Sequence, residues 1–229
     1  LRFYTNVSHE YRTPLTLILT PLEKLMKTEE NAETKQILRL IYRNADRLLK
    51  LVNQLLDFRK IDVQGDTLVL STGDIVPFVR DVAYSFKELS EQKHIRFSFS
   101  SVFTSLPMRF DTDKVFKIVS NLLSNAFKFT PEGGMITVTL SLLPDKEGRN
   151  KLLIEVSDSG IGIPADKQEA IFDRFYQVSS SDKGNPVMGT GIGLHLCREF
   201  VRMHQGSIAI KSQPGVGSCL LYTSDAADE

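Results

Sequence analysis

The sequence predicts an α plus α/β fold: a helical hairpin over roughly the first sixty residues, followed by an α/β sandwich. Three observations carry this. No glycine occurs before Gly65, apolar residues recur at heptad spacing through most of that opening, and from Gly65 onward short alternating runs take turns with helical patterns. At 229 residues the chain has room for one large domain or two small ones, and 41% hydrophobic with 24% charged residues is an ordinary globular composition. Lys+Arg and Asp+Glu both total 28, so no overall basic field recommends nucleic acid or an anionic membrane as a partner.

In the hairpin, Tyr4, Tyr11, Ile18 and Leu25 fall seven apart with Val7, Leu15 and Leu22 beside them. After a polar break (TEENAET, 28–34) the heptad resumes with Leu38, Ala45 and Val52 and with Ile41, Leu48 and Leu55. Two helices cannot hide such stripes from water alone, so the hairpin is expected to close a four-helix bundle as a homodimer. Packing of the hairpin onto its own second domain is the competing arrangement. Residues 60–66 (KIDVQGD) read as the hinge, which divides the chain into a hairpin domain at 1–62 and a second domain at 63–222.

Beyond the hinge, the runs at 67–70, 95–100, 135–142 and 151–158 read as strands. The segments 74–92, 112–129 and 191–204 carry apolar residues at three- and four-residue spacing and read as helices covering one face of the sheet. The last residues, 223–229 (TSDAADE), are small and acidic without periodicity, and are expected to form a disordered tail or a cloning scar. Two isolated cysteines, Cys197 and Cys219, make neither a disulfide framework nor a metal site and suit a reducing compartment. No run approaches 18 apolar residues and no signal peptide opens the chain, while the start at Leu1 reads as part of something longer, with room for an anchor upstream.

His9 is the first candidate for chemistry. At about 100° per residue it lies about 140–160° around the helix from the Tyr4/Tyr11 stripe, which turns it to water. Thr13 follows one turn along the same face, Glu10 is adjacent, and Pro14 removes the hydrogen bond that the Glu10 carbonyl would receive. Neutral imidazole is a nucleophile, and a carboxylate beside it can take its proton. A solvated surface histidine next to an incidental glutamate fits the same spacing.

The second candidate is a nucleotide site. Asn121, Asn125 and Lys128 are spaced four and three on the helix at 112–129 and form one polar stripe. A wet helix face explains such a stripe; so does a carboxamide oxygen on Mg²⁺ beside a lysine for phosphate. Asp158 stands at a strand end in DSGIGIP (158–164), where Gly160 and Gly162 let the backbone turn close to a ligand. Its carboxylate suits an exocyclic amine such as adenine's, and a turn-forming Asx cap is the plainer reading. Gly189, Thr190, Gly191, Gly193 and Leu194 open a helix whose amides can cradle phosphate, a weak signal alone because the string is neither GxGxxG nor a P-loop. Between them Phe172 and Phe175 lie in IFDRFYQ and are also candidates for simple core, followed by a polar stretch at 178–186 suited to a lid.

The strings themselves add a resemblance. FYTNVSHEYRTPLTLILTPLEKL at 3–25 resembles the H box of two-component sensor histidine kinases. NLLSNAFKFTPEGG, DSGIGIP, IFDRFYQ, GTGIGLHLCREFV and GVGS, in that order, resemble the N, first-glycine, F, second-glycine and third-glycine boxes of the GHKL ATP-binding fold. The likeness covers essentially residues 1–221. It implies a GHKL-type sandwich and an ATP-dependent autokinase in which His9 accepts the phosphoryl group, Glu10 assists proton removal and Thr13 positions water for dephosphorylation. On the same resemblance Asp158 reads adenine, Asn125 holds Mg²⁺, and Lys128 with the 189–193 amides grips the phosphates. Partners implied are a second copy and a response-regulator receiver domain, with neither nucleic acid nor direct membrane contact, and the location is the cytoplasmic portion of an anchored sensor. TLILTPLEKL further resembles hybrid sensors. Ser218, where Thr is common, and LeuLeuTyr at 220–222 depart from the pattern, and His94, His195 and His204 match no functional position. A gyrase-like ATPase clamp and an inactive dimeric binding core are the rival readings.

Overall fold

The computed structural model describes the backbone of residues 2–64, 67–144, 150–177 and 190–225, and the side chains of 13–61, 67–144, 150–177 and 190–224. Two compact units emerge, Leu1–Asp66 and Thr67–Glu229. No helix among the described residues is long and apolar enough to cross a membrane.

The first unit is a helical hairpin of α1 (Arg2–Thr28) and α2 (Ala32–Gln64). α1 runs through Pro14 and Pro21 without ending. The break falls in the polar run, where the Asn31 side chain accepts the Thr34 N–H at 3.0 Å and so caps α2. The Tyr42 hydroxyl donates to Glu23 Oε1 at 2.7 Å and ties the helices together. Leu22 and Ala45 are buried between them, whereas Ile18, Leu25, Ile41, Leu48 and Leu55 remain exposed. α2 continues to Gln64, so the hinge expected at 60–66 is helical through most of its length.

The second unit opens with an irregular stretch rather than the strand expected at 67–70. The reason is a buried ion pair. Lys114 Nζ lies 3.0 Å from Asp111 Oδ2, with both side chains almost fully buried, and it also donates to the Thr67 carbonyl at 3.1 Å. Asp111 Oδ2 accepts the Val69 N–H at 2.9 Å. Backbone groups that a strand neighbour would use are thus bonded to side chains, and Val69 is left 75% exposed. The strand β1 (Ser71–Asp74) begins later and pairs antiparallel with β3 (Pro107–Phe110), which the sequence reading did not foresee.

The segment expected as one helix at 74–92 is two, α3 (Ile75–Tyr84) and α4 (Lys87–Gln92). Asp74 caps α3 by accepting the Val76 N–H at 3.0 Å. α5 (Thr112–Phe129) has the expected bounds, with Asp111 as its cap, accepting the Lys114 N–H at 3.0 Å. α6 spans Gly193–Met203. The main sheet has the order β2-β4-β5-β7-β6, with β2 (Arg96–Ser101) parallel to β4 (Met135–Pro144) and the remaining pairs, through β5 (Asn150–Asp158), β7 (Gly217–Asp225) and β6 (Ser207–Gln213), antiparallel.

One face of this sheet is apolar. Ile136, Val138, Leu140, Ile154, Val156 and Tyr222 are buried, together with Ile118, Val119, Leu122 and Leu123 of α5 and Leu196, Phe200 and Val201 of α6. Thr137, Thr139, Glu155 and Ser157 alternate with them and point to the open face. Truncating any one of the large core residues to Ala costs about 2–5 kcal/mol, so the face is held by its whole set. The tail expected from 223 is corrected in part. Thr223–Asp225 pair with Leu153–Lys151 of β5, and Ser224 is buried, because the apolar run 220–222 carries the strand beyond its last apolar residue.

Candidate functional site

On α1, His9, Glu10 and Thr13 are all helical; Thr13 is exposed, and the side chains of His9 and Glu10 lie outside the described residues. Pro14 has no N–H, so the helix continues past Glu10 with that carbonyl lacking its usual partner.

In the second unit, α5 carries Asn121, Asn125 and Lys128, each half-buried on one stripe. Asn121 Nδ2 donates to the Lys117 carbonyl at 2.8 Å. The Asn125 side chain makes no hydrogen bond among the described residues. Lys128 Nζ lies 4.8 Å from the centre of the Phe129 ring. The end of α5 is pinned from two sides: Lys93 Nζ donates to the Phe127 carbonyl at 2.7 Å, and the Ile161 N–H donates to the Phe129 carbonyl at 3.3 Å. The second bond brings the loop after β5 against the helix end that carries Lys128.

Asp158 closes β5, opposite Ile136 of β4 and Ser218 of β7. Its Oδ1 accepts the Gly160 N–H at 2.8 Å, the Asx turn of the plainer sequence reading. Burial raises its carboxyl above the usual range, opposed in part by the backbone N–H groups of Gly160 and Ser218. Glycine is required at 160, because a Cβ there would stand 2.6 Å from both Asp158 Oδ1 and the Phe129 carbonyl oxygen. Gly162 adopts a left-handed φ of 68°.

Two serines that sequence reasoning did not count as site residues brace this loop. Ser212 Oγ accepts the Ile163 N–H at 2.8 Å, lies 2.9 Å from Ser218 Oγ, and donates to the Gly217 carbonyl at 2.9 Å. A signal was present. The period-2 pattern of β6 places Ile208, Ile210 and residue 212 on one face, and a serine at an apolar position marks a polar task.

Thr190 Oγ1 accepts the Ile192 N–H at 3.1 Å just ahead of α6, and Gly193 and Leu194 are the first residues of that helix. Gly191 has a left-handed φ of 68° and passes its carbonyl to the Phe175 N–H at 2.9 Å. α6 lies alongside α5, with Cys197 Sγ 3.9 Å from the Ile118 carbonyl. Gly189 and the expected lid at 178–186 lie outside the described residues. Phe172 is buried, as its core reading has it, while Phe175 is 61% exposed. The structure thus brings the end of α5 to the Asp158 loop, and residue 191 to the turn at 175.

Among the described residues no three His, Cys, Asp or Glu side chains cluster to hold a metal. The donor set offers one neutral carboxamide, Asn125, without a carboxylate cage. That suits Mg²⁺, which keeps most of its waters and takes further oxygens from phosphates.

Residues 1–64 match the His Kinase A (phospho-acceptor) domain, and residues 110–226 match the family described as histidine kinase-, DNA gyrase B-, and HSP90-like ATPase. The sensor histidine kinase TmoS of Ectopseudomonas mendocina is 41% identical over 94% of this chain and 22% of its own length. The sensor histidine kinase WalK of Bacillus subtilis (strain 168) is 34% identical over 99% of this chain and 37% of its own. The crystal structure of full-length ShkA in complex with AMPPNP superposes with a TM-score of 0.77 at 26% identity, covering 99% of this chain and 46% of that one. The chain therefore spans less than half the length of each of these relatives.

Proposed function

Because the chain belongs to the histidine kinase family, a phospho-acceptor hairpin joined to that family's ATP-binding unit, we propose that it phosphorylates its own His9 from ATP. The observation that supports this reading is the bond from the Ile161 N–H to the Phe129 carbonyl, which brings the loop after Asp158 against the end of α5, the helix that carries Asn125 and Lys128. Asp158 accepts from the adenine amine, and Lys128 and the backbone amides of 189–193, other than that of Ile192, which donates to Thr190 Oγ1, take the phosphate oxygens. Asn125 is the residue that would hold Mg²⁺, which when bound neutralises charge on the phosphates. With the phosphates held, attack by the His9 imidazole nitrogen forms the N–P bond in line with departure of ADP. Glu10 takes the ring proton, and positioning supplies most of the rate.

The exposed stripe of Ile18, Leu25, Ile41, Leu48 and Leu55 is the face on which a second hairpin closes the bundle. The phosphoryl group then passes to an aspartate of a response-regulator receiver domain, and Thr13, exposed one turn from His9, positions the water that hydrolyses that aspartyl phosphate to inorganic phosphate. Free thiols at Cys197 and Cys219 suit the reducing side of a membrane, with any anchor elsewhere in the whole protein. Incubation with γ-labelled ATP and Mg²⁺ tests the reading: the label should be lost in acid and kept in alkali, as for a phosphoramidate. Acid-stable label would point to serine or threonine chemistry instead.

A further inference from the structure

α6 carries two polar residues with no task in the nucleotide site, and both reach the same turn. His195 is 5% exposed, and its Nδ1 lies 3.3 Å from the Phe172 carbonyl. A carbonyl only accepts, so Nδ1 carries the proton and donates. Burial lowers the His195 pKa, outweighing the opposing effect of that bond, and so favours the neutral ring. Arg198 Nη2 lies 3.5 Å from the same Nδ1, but a nitrogen that carries the proton cannot accept from it. Its partner in the turn is Asp173, at 3.7 Å.

The turn is tied a third time. Phe175, in the left-handed region at φ 62°, donates its N–H to the Gly191 carbonyl at 2.9 Å. The fit is close enough that a Cβ on Gly191 would stand 2.5 Å from the Phe175 carbonyl carbon. Residues 172–175 therefore lie edge to edge with 191–198, linked as Phe172 to His195, Asp173 to Arg198 and Phe175 to Gly191. The last link fixes the peptide plane between Gly191 and Ile192, and so holds the backbone directly beside the Gly191 N–H assigned above to the phosphates.

We propose that His195 is a positioning residue for phosphate: its bond to the Phe172 carbonyl holds the 172–175 turn, and the turn holds the Gly191 backbone in its phosphate-binding orientation. This rests on the nucleotide reading of the site. His195 touches no reacting atom and acts through Phe175 and Gly191. A lost bond should therefore be felt where the triphosphate sits and leave the adenine end, built on Asp158, unchanged.

Calorimetric titration of the full chain with the non-hydrolysable analogue AMPPNP and with adenosine, alongside thermal unfolding, tests this. His195→Leu should weaken AMPPNP about tenfold, the worth of one buried hydrogen bond, and leave adenosine unchanged. His195→Asn, whose side-chain amide places a donor near the Nδ1 position, should restore AMPPNP binding. If the Leu variant fails to fold, Asn against Gln replaces the comparison, since the longer Gln cannot place its donor there. Equal losses for both ligands, no loss for AMPPNP, or no rescue by Asn would overturn the positioning role. Wild-type protein that binds neither ligand would instead overturn the nucleotide reading, and the inference with it.

Discussion

The Asp158 carboxylate accepts the Gly160 amide at 2.8 Å, and that bond leaves no room for a side chain at 160. The aspartate is thus both a turn former and the candidate base reader, and the glycine holds its orientation. Replacing Gly160 by Ala sets a methyl 2.6 Å from Oδ1 and from the Phe129 carbonyl oxygen, one at the end of β5 and the other at the end of α5. The expected cost is about 1–3 kcal/mol of overpacking, read as a lower midpoint in urea. An unchanged midpoint would show that the loop moves freely against α5.

Within the proposed nucleotide site, the two ends of the nucleotide separate. Asn125→Ala removes the carboxamide and should weaken Mg-ATP far more than adenosine. Asp158→Asn replaces an acceptor-only group by an amide and should weaken every adenine nucleotide by about 1–3 kcal/mol. Titration calorimetry with and without Mg²⁺ distinguishes these, and the opposite pattern would mean the ends are assigned in reverse.

The ion pair at the start of the second unit is a stability element. Lys114 and Asp111 are 5% and 3% exposed, and Asp111 also caps α5 and binds Val69. Burial pushes the Asp111 carboxyl up, but the bonds from Val69 and Lys114 outweigh it and hold the group below the usual carboxylate range. Lys114→Met leaves that carboxylate without its cation and should cost about 3–5 kcal/mol, measured by equilibrium unfolding. A loss under about 1 kcal/mol, as for surface pairs, would contradict it.

Two histidines make the unit acid-sensitive. Burial lowers the pKa of His195 and of His204 from the ordinary 6.5, although hydrogen bonds to Phe172 and Phe200 oppose it. Below pH 6.5 the unfolded chain then binds more protons than the folded one, so stability is complete above that pH and falls as pH drops toward the lowered values. Asp111, which raises the His204 pKa, and Lys114, which lowers it, face that ring, and its Nε2 accepts the Asp111 N–H at 3.3 Å. Each histidine contributes at most about 1.4 kcal/mol per pH unit. His204→Gln should flatten the slope of melting temperature between pH 7 and 5, and an unchanged slope would exclude His204 as a source.

Much of the fold was legible because its signals are local. The glycine-free heptads gave the hairpin, and 112–129 gave α5 with its ends, since Asp111 and the following β segment are strong boundaries. The stretch 67–70 misled because alternation of Leu and Val looks like a strand, whereas its backbone partners, Asp111 and Lys114, lie more than forty residues away and are invisible to a local window. Of the candidate site, the Asp158–Gly160 turn and the α5 stripe were readable as local geometry from spacing and motif. The serine brace at 212 and 218 and the His195 link were not, because each depends on which segments the sheet and helices bring together.

The central claim is that His9 receives the phosphoryl group. The most direct test is mass-spectrometric location of phosphate, under alkaline handling, after incubating wild-type protein and His9→Gln with ATP and Mg²⁺, with nucleotide binding measured in parallel. Phosphate on His9 in the wild type, none in the variant, and equal ATP affinity in both are expected, because the residues proposed to bind the nucleotide all lie beyond residue 66. Phosphate on another residue, or undiminished incorporation into His9→Gln, would contradict it.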